Sequence, residues 1–355
     1  MTRRILFVDP VAIRQYDERD LEGGALGGTE ATVIRIAEGL AMDHLVVVAQ
    51  SNREWCRTAP TGVTYTPYRH KSGFLDQSEV DVVVVVRAHK VLPRIRRRFP
   101  SAATYLWMHC NPGRRLRSLA RTCVDTDTTV IAVSDYHLDV MVRFFTRHDP
   151  LAASQLKAMR IYNPLAPGLA PDGTAWDRNK LLFLSSPHKG LDQVLDVFTM
   201  LKRRSPAMRL CVANPGYLNW RVPRTDGVIT LGKLRHEQVV GHLRDSLCLF
   251  YPQPTFAETF GLVFAEANAV GTPVLAHPHG AAPEVLNDQA QLCDCRNMAE
   301  VCGRVLQWRD GMRPVPQSME RFALPRVLAE WERLLDAGSQ AQFHPGSAAY
   351  ASARV

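Results

Sequence analysis

Residues 255–284 read TFAETFGLVFAEANAVGTPVLAHPHGAAPE, and this order of polar, apolar and glycine residues predicts three consecutive parts. A polar and aromatic loop carries Glu258, and a short helix over about 261–270 carries Glu266. A buried strand over 273–276 follows and leads into a glycine-bearing turn. We expect the rest of the chain to build the walls of a site around this unit.

The start of the helix predicts an anion site. Its first NH groups have no partner within the helix, and they point out of the positive end of the helix dipole. Gly261 lets a ligand approach the backbone closely. An anion such as a diphosphate is therefore favoured at the amides of Phe260, Gly261, Leu262 and Val263.

Two carboxylates, Glu258 and Glu266, frame this anion site. One lies in the loop and the other about one and a half turns into the helix, so they cannot share a proton and should do different jobs. Either carboxylate can accept hydrogen bonds from two adjacent hydroxyls, as on a ribose. The alternative is structural: Glu258 caps the helix, and Glu266 is solvated or compensates the dipole.

The composition is typical of a globular protein with two domains. The chain has 355 residues, of which 46% are hydrophobic and 22% are charged. No apolar run approaches the roughly 18 residues that a bilayer crossing needs. The start of the chain lacks the apolar core and cleavage site of a signal peptide. We therefore expect a cytoplasmic protein.

The eight cysteines are scattered through apolar surroundings, which is typical of reduced thiols in a core. Cys293 and Cys295 are the only close pair. No second pair and no histidine at zinc-like spacing accompanies them. We expect no metal site.

Basic residues are concentrated in one part of the chain. The formal net charge is +8, and ten lysines and arginines fall between Arg87 and Arg121. Such a cluster is most often a solvated face, but it also fits contact with anionic lipid headgroups at the inner face of a membrane. Because it lacks the interleaved aromatic residues of a single-strand groove, we do not expect a nucleic-acid partner.

The first half of the chain alternates strand and helix patterns. Its strands are nearly continuous apolar runs, which are typical of a parallel sheet covered on both faces. A basic helix is predicted over about 91–99. The predicted strands cover residues 3–9, 45–50, 63–68, 81–88, 104–111 and 128–135.

Two features of this half are candidates for ligand contact. Gly27 and Gly28 lie in a glycine-rich turn between a strand and a helix, which is the arrangement of a phosphate-cradling unit, although it is not a GxGxxG motif. A flexible loop of small residues is the alternative. His109 lies at the carboxyl end of its strand, where ligands bind in open α/β sheets. The alternative for His109 is a packed residue without a chemical role.

The prolines of residues 161–171 predict a linker, after which the alternation restarts. Lys189 follows the first strand of this second half, where a cation can meet a phosphate, or else it is a surface lysine at a turn. The pattern predicts an α/β fold with two Rossmann-like, doubly wound domains that face a cleft. The predicted strands of the second half cover residues 181–186, 208–214, 228–232 and 247–251.

We expect an N-terminal domain over residues 1–165 and a C-terminal domain over 172–315. Residues 316–337 include a final amphipathic helix that we expect to pack back toward the N-terminal domain. Residues 338–355 are rich in small residues and predict a disordered tail. Tyr217, Trp220 and Leu234 are candidates for the surroundings of a nucleotide base.

These residues together carry a resemblance to a known family. The run ETFGLVFAEANAVGTPVLAHPHGAAPEVL, with its E-x7-E spacing, resembles the signature of the retaining family-4 glycosyltransferases of GT-B fold, the glycosyl transferases group 1. Four other segments are similar to this family: the glycine loop LGGTEATVIRIAEGLA, the strand end TVIAVSDY, the interdomain IYNP and the donor-phosphate loop SSPHKGLDQVL.

The resemblance implies transfer of a sugar from a nucleotide sugar, a UDP- or GDP-sugar, without a metal or a tightly bound cofactor. The acceptor would be a glycan, a lipid-linked sugar or a small molecule, bound mainly by the N-terminal domain. By this resemblance Glu266 would bind the ribose hydroxyls, Lys189 the diphosphate, and the amides of Phe260, Gly261, Leu262 and Val263 the phosphate and sugar. Glu258 would contact the donor sugar near the reacting centre, His109 would lie beside it, and Gly27 and Gly28 would close over the diphosphate.

The sequence departs from the family pattern in two places. Leu184, Ser185 and Ser186 stand where many members have a Gly-Arg strand end, so the diphosphate has one cation fewer. Asn214, Pro215 and Gly216 replace a more glycine-rich turn. Two other functions stay open: an epimerase acting on nucleotide sugars, and an inactive protein that binds them. A dinucleotide oxidoreductase is disfavoured because no GxGxxG with a following acid is present.

Overall fold

The computed structural model describes residues 1–23, 26–68, 79–214 and 224–337. These residues form two β-sheets, one mostly parallel and one fully parallel, each flanked by helices. The predictions for Tyr217, Trp220, the turn at Pro215 and Gly216, and the tail over 338–355 lie outside the described residues.

The first sheet has eight strands in the order β3-β4-β2-β1-β5-β6-β7-β8. All its neighbouring pairs are parallel except β3 with β4. The central strands are buried along almost their whole length because helices cover both faces, as their continuous apolar sequences require. The strands are β1 (Arg4–Asp9), β2 (Leu45–Gln50), β3 (Arg57–Thr58), β4 (Thr64–Pro67), β5 (Val82–Val86), β6 (Ala103–Trp107), β7 (Thr128–Ala132) and β8 (Ala158–Arg160).

Among the described residues, six α-helices lie within the part of the sequence that builds this sheet. Helix α5 has one buried face and one exposed face, as expected of a helix that covers a sheet, whereas α2 is buried on all sides over residues 31–37. The side chain of Ser134 caps α5 by accepting a hydrogen bond from the amide of His137. The helices are α1 (Asp20–Gly23), α2 (Gly28–Leu40), α3 (Leu92–Arg98), α4 (Leu119–Asp125), α5 (Asp135–His148) and α6 (Pro150–Gln155).

The second sheet has five parallel strands in the order β11-β10-β9-β12-β13. Strand β12 is buried throughout, and the helix that follows it, Leu262–Ala269, lies within the sequence stretch 255–284. The strands are β9 (Asp177–Phe183), β10 (Arg209–Asn214), β11 (Val228–Lys233), β12 (Ser246–Tyr251) and β13 (Val274–Ala276). The helices are α7 (Leu191–Arg204), α8 (His236–Arg244), α9 (Leu262–Ala269), α10 (Ala282–Val285), α11 (Met298–Gln307) and α12 (Leu324–Ala337).

The predicted class of two doubly wound α/β units facing a cleft is confirmed. The predicted strands of both halves are present, with ends that shift by a few residues. The sequence did not predict β3 and β8, which are short edge strands without a buried apolar run. Gly28 is the first residue of α2 rather than part of a loop, and α9 begins at Leu262 rather than Gly261.

The last helix, α12, returns to the first sheet. Trp331 is fully buried there, and its ring centroid lies 4.8 Å from that of Trp107 and 6.0 Å from that of Phe7. Packing against α2 is close, because a Cβ added to Gly39 would lie 2.5 Å from Cδ1 of Leu328. The C-terminal segment therefore belongs to the core of the first half.

The basic residues between Arg87 and Arg121 do not form one face. Arg87 lies in the cleft between the two halves. Arg96 donates to the backbone carbonyls of Thr126, Asp127, Pro100 and Ala102, and Arg121 pairs with Asp149. The interpretation of the whole cluster as a solvated face is therefore wrong. The exposed members are Lys90, Arg94, Arg97, Arg114, Arg115 and Arg117.

Within the described ranges, every helix is too short or too polar to span a membrane. Contact of the exposed basic residues with an anionic membrane surface stays a prediction.

Substitution of Trp331 tests the docking of α12. Trp331→Ala should lower the free energy of unfolding by about 3–5 kcal/mol, since it removes a large side chain from a packed core. Urea unfolding measures the change. The matched control is Trp55→Ala, because Trp55 is 54% exposed and its loss should cost less than about 0.5 kcal/mol. Equal effects of the two substitutions would show that α12 is not docked on the first sheet.

Buried histidine makes stability depend on pH. His137 is fully buried, and burial lowers its pKa to about 4, against a hydrogen bond to the Cys110 carbonyl that raises it. A histidine with a lowered folded pKa is charged only in the unfolded chain between pH 6.5 and 4, so its contribution to stability is present above pH 6.5 and is lost as pH falls. From pH 7.5 to 5.5 this single group should cost about 1.3 kcal/mol.

Urea titrations of the wild type and His137→Leu at both pH values measure this contribution. The variant should lose less stability on acidification than the wild type, by about the same 1.3 kcal/mol. Identical losses in the two proteins would contradict a neutral, buried His137.

Candidate functional site

A cleft of about 490 Å³ lies between the two halves. Residues of the first sheet's connections form one wall, and residues that follow β9, β11 and β12 form most of the other. Tyr217 and Trp220 lie outside the described residues, and the structure brings the other residues that the sequence singled out for the site together in the cleft. These residues are Gly27, Gly28, His109, Lys189, Glu258, Phe260, Gly261, Leu262, Val263 and Glu266, and Leu234 lies with them.

The amino terminus of α9 points its free amides at the cleft. Gly261 precedes the helix with a φ of 81°, a left-handed conformation that disfavours side chains other than glycine. The amides of Leu262 and Val263 belong to the first turn and have no partner within the helix. The ring of Phe260 is buried against Tyr162 and Phe322, so this residue supports the site through the core. The helix terminus therefore lies at the lining of the cleft, and its role as an anion site stays a prediction.

Glu258 and Lys189 form an ion pair in the cleft. The ammonium of Lys189 lies 2.8 Å from Oε1 and 2.9 Å from Oε2 of Glu258, and 4.8 Å from the ring centroid of Phe256. The hydroxyl of Tyr251 donates to Oε1 over 3.0 Å. Burial and the Glu258 charge raise the pKa of Tyr251, so its hydroxyl stays a neutral donor. These bonds show that the Glu258 side chain is not a helix cap.

The loop that carries Glu258 is attached to the first half. The side-chain Nδ2 of Asn111 donates to the carbonyl of Ala257 over 2.8 Å, and the hydroxyl of Thr259 donates to the carbonyl of His109 over 2.9 Å. The hydroxyl of Ser134 donates to the carbonyl of Thr259. The position of Glu258 therefore depends on both halves of the protein.

On the other side of this loop, the turn at Gly280 leaves no room for a side chain. A Cβ on Gly280 would lie 2.8 Å from the backbone nitrogen and oxygen of Glu258. The next amide, that of Ala281, donates to the Glu258 carbonyl over 2.9 Å. This close approach explains the glycine in the sequence HPHG and fixes the backbone of Glu258.

Glu266 is buried at the base of the cleft, with 6% of its surface exposed. Its Oε1 lies 3.0 Å from Nε2 of His236 and 3.8 Å from Nη2 of Arg35. The alternative of a solvated Glu266 is therefore wrong. A buried carboxylate with two basic partners is an acceptor held in one orientation.

His109 lies in the cleft beside Trp107, with ring centroids 4.7 Å apart. Burial lowers its pKa well below the usual value, and the nearby Arg87 and His137 act in the same direction. Its buried Nε2 has no hydrogen-bond partner among the described residues. At neutral pH this residue is therefore an uncharged imidazole with a free ring nitrogen.

The glycines border the amino terminus of α9. A Cβ on Gly28 would lie 3.6 Å from Cδ2 of Leu262, and one on Gly27 would lie 2.3 Å from Oε2 of Glu30. A side chain at Gly28 would therefore make only an ordinary contact, whereas one at Gly27 would displace the side chain of Glu30.

A charged cluster behind these glycines was not predicted. Nη2 of Arg87 lies 3.3 Å from Oδ2 of Asp9 and 3.4 Å from Oε1 of Glu30. Burial raises the pKa of Asp9, against the effect of Arg87 and a hydrogen bond from Tyr16. Asp9 ends β1 and Arg87 follows β5, so the rule that ligands bind at the carboxyl ends of strands could have found both. No local signal in the sequence pointed to His236 or Arg35.

Cys293 and Cys295 lie apart from the cleft and are buried. In the part of the chain that the structure describes, no group of three or more histidines, cysteines or carboxylates is placed to hold a metal ion.

Comparisons of the sequence point to one family. Residues 175–312 match the model of the glycosyl transferases group 1. The chain is 24% identical over 226 residues to an O-antigen chain mannosyltransferase B of Escherichia coli, which covers 56% of this chain and 58% of that protein. It is 31% identical over 108 residues to the phosphatidylinositol N-acetylglucosaminyltransferase gpi3 subunit of Schizosaccharomyces pombe, which covers 28% of this chain and 23% of that subunit. The alignments thus span less than two thirds of either relative.

Solved structures are similar over nearly the whole chain. Sucrose-phosphate synthase from Thermosynechococcus elongatus has a TM-score of 0.63 at 14% identity, covering 95% of this chain and 98% of that one. The catalytic domain of starch synthase IV from Arabidopsis thaliana, bound to ADP and acarbose, has a TM-score of 0.62 at 12% identity, covering 96% and 100%. The chain therefore has the GT-B fold, and its residues 175–312 are similar to the glycosyl transferases group 1.

Proposed function

We propose that this protein is a retaining glycosyltransferase that moves a sugar from a nucleotide-sugar donor to an acceptor. The observation that carries the proposal is the placement of Glu266, Lys189 and the start of α9 in one cleft. A carboxylate matches the ribose hydroxyls of a nucleotide sugar, and a cation with free amides matches its negatively charged diphosphate. The family match over residues 175–312 supports the same reaction class.

The donor would bind mainly to the second half. Glu266 accepts hydrogen bonds from the ribose hydroxyls, and the amides of Leu262 and Val263 bind the diphosphate. Lys189 then exchanges its present partner, Glu258, for a phosphate oxygen. Ser185 and Ser186 line the cleft where many relatives carry an arginine, so hydroxyl groups replace a charge at that point.

The reaction breaks the bond between the anomeric carbon and the diphosphate, and the acceptor oxygen forms the new bond on the same face of the sugar. The acceptor proton passes to the departing phosphate oxygen. Negative charge grows on the diphosphate as the sugar leaves. The α9 amides and Lys189 are fixed before the reaction, so they stabilise the transition state more than the bound donor. No protein nucleophile is needed.

Glu258 and His109 would contact the transferred sugar. Release of Lys189 leaves the Glu258 carboxylate free to accept from a sugar hydroxyl or to stabilise positive charge at the anomeric carbon. His109 is neutral, so its free Nε2 can form a hydrogen bond with the sugar without placing a cation beside that carbon.

We propose a UDP- or GDP-sugar as donor and a glycan as acceptor. One structurally similar protein, TarM, has been solved in complex with UDP, at 14% identity and a TM-score of 0.55. The Escherichia coli relative is named as a mannosyltransferase of the O-antigen chain, which supports a saccharide acceptor.

A panel of UDP-, GDP-, ADP- and dTDP-sugars tests the proposal. Donors of one base class should raise the melting temperature, because a ligand at 100 times its Kd adds about 2.7 kcal/mol to the free energy of unfolding. The same donors should release nucleotide slowly in the absence of acceptor, as measured by chromatography. Lys189→Ala and Glu258→Ala should lower this release by about 10²-fold or more, the usual effect of losing one transition-state contact.

Lys157→Ala is the matched control, since Lys157 forms an exposed ion pair with Asp127 outside the cleft. It should leave both the melting shift and the nucleotide release unchanged. Absence of any melting shift across the panel would contradict the proposed function. A shift without nucleotide release would leave a binding protein instead of a transferase.

A further inference from the structure

One ion pair connects the ribose-binding carboxylate to the other half of the molecule. Arg35 lies in α2 of the first half, and its Nη2 is 3.8 Å from Oε1 of Glu266 in α9 of the second half. Its Nη1 donates to the carbonyl of Pro164, in the segment that joins the two halves, over 3.4 Å. Arg35 therefore touches both halves and their connection.

Burial makes this contact consequential. Arg35 is 6% exposed, and burial lowers the pKa of its guanidinium while the charge of Glu266 acts in the opposite direction. A buried charge that loses its partner is strongly unfavourable, so the two side chains hold each other in place. In the cleft, Glu266 is the acidic partner of Arg35.

The geometry of Glu266 leaves one of its oxygens for a ligand. His236 and Arg35 both approach Oε1. Among the described residues, Oε2 has no hydrogen-bond partner, and Glu266 lines the cleft. A carboxylate fixed through one oxygen presents the other in a defined direction, which is the arrangement needed to accept from a ribose hydroxyl.

Helix α2, which carries Arg35, also begins near the start of α9. A Cβ on Gly28, the first residue of α2, would lie 3.6 Å from Cδ2 of Leu262 at the start of α9, and Arg35 lies seven residues further, about 10 Å along the helix. Helix α2 thus lies beside α9 at two positions. One is at the predicted diphosphate position and the other is at the predicted ribose position.

We infer that Arg35 is a positioning residue: from the first half of the protein it orients Glu266, which contacts the ribose of the donor. The inference rests on the proposed function, because it takes the cleft as a nucleotide site. It means that selection of a ribonucleotide requires the two halves to be assembled as they are here.

The test uses the full chain and compares the Kd of UDP and GDP with those of their 2′-deoxy forms by calorimetry. The wild type should prefer the ribonucleotide of its base class by about 10-fold or more, the usual effect of one hydrogen bond to a charged group. Arg35→Met keeps the length of the side chain and removes its charge. This substitution should raise the Kd of the ribonucleotide and change the Kd of the 2′-deoxy form little. The two affinities should then be nearly equal. Arg35→Lys should restore part of the preference.

The control is Arg53→Met, since Arg53 is 5% exposed, lies in the same half and pairs with Asp17 outside the cleft. It should keep the wild-type preference. If Arg35→Met binds both nucleotides more weakly by the same factor, or keeps the preference, the inference is wrong and Arg35 is only structural. If Arg35→Met does not fold, the ratio of the two Kd values is measured for Arg35→Lys instead. A ratio equal to that of the wild type contradicts the inference.

A separate outcome concerns the proposed function itself. If the wild type and Glu266→Ala bind the ribonucleotide and its 2′-deoxy form equally well, then Glu266 is not the ribose contact. That result would overturn the donor assignment before Arg35 is considered.

Discussion

The attachment of residues 257–259 to the first half is the constraint on which the site depends. This loop belongs to the second half, yet side chains of Asn111 and Ser134 donate to its carbonyls and Thr259 donates back to the first half. These bonds place Glu258 between the end of β6 and the start of α9. The site is therefore not a property of either half alone, and a change in their relative position would move Glu258 away from His109.

Three cations of the cleft show how it stays stable before a ligand binds. Lys189 pairs with Glu258, Arg35 with Glu266, and Arg87 with Asp9 and Glu30. Each buried charge thus has a partner of opposite sign, which offsets the cost of removing it from water. Such a cleft favours an anionic ligand that takes the place of a carboxylate beside one of these cations. Lys189 is the least buried of the three and is the best placed to exchange its partner.

Much of this arrangement follows from sequence because it is local. The continuous apolar runs predicted the parallel strands, and Gly261 with the polar loop before it predicted a helix terminus open to an anion. Contacts between residues far apart in the chain were not predictable, since nothing in α2 marks Arg35 as the partner of Glu266 and nothing in α8 marks His236. The edge strands β3 and β8 were missed because their stability comes from pairing with a neighbour and not from an apolar pattern.

A crystal structure with bound UDP or GDP, whichever the protein binds, tests the proposed exchange most directly. The diphosphate should lie within about 3 Å of the amides of Leu262 and Val263, with the Lys189 ammonium moved from Glu258 to a phosphate oxygen and the ribose on Glu266. A nucleotide bound outside the cleft, or a diphosphate remote from α9 while Lys189 remains paired with Glu258, would contradict it.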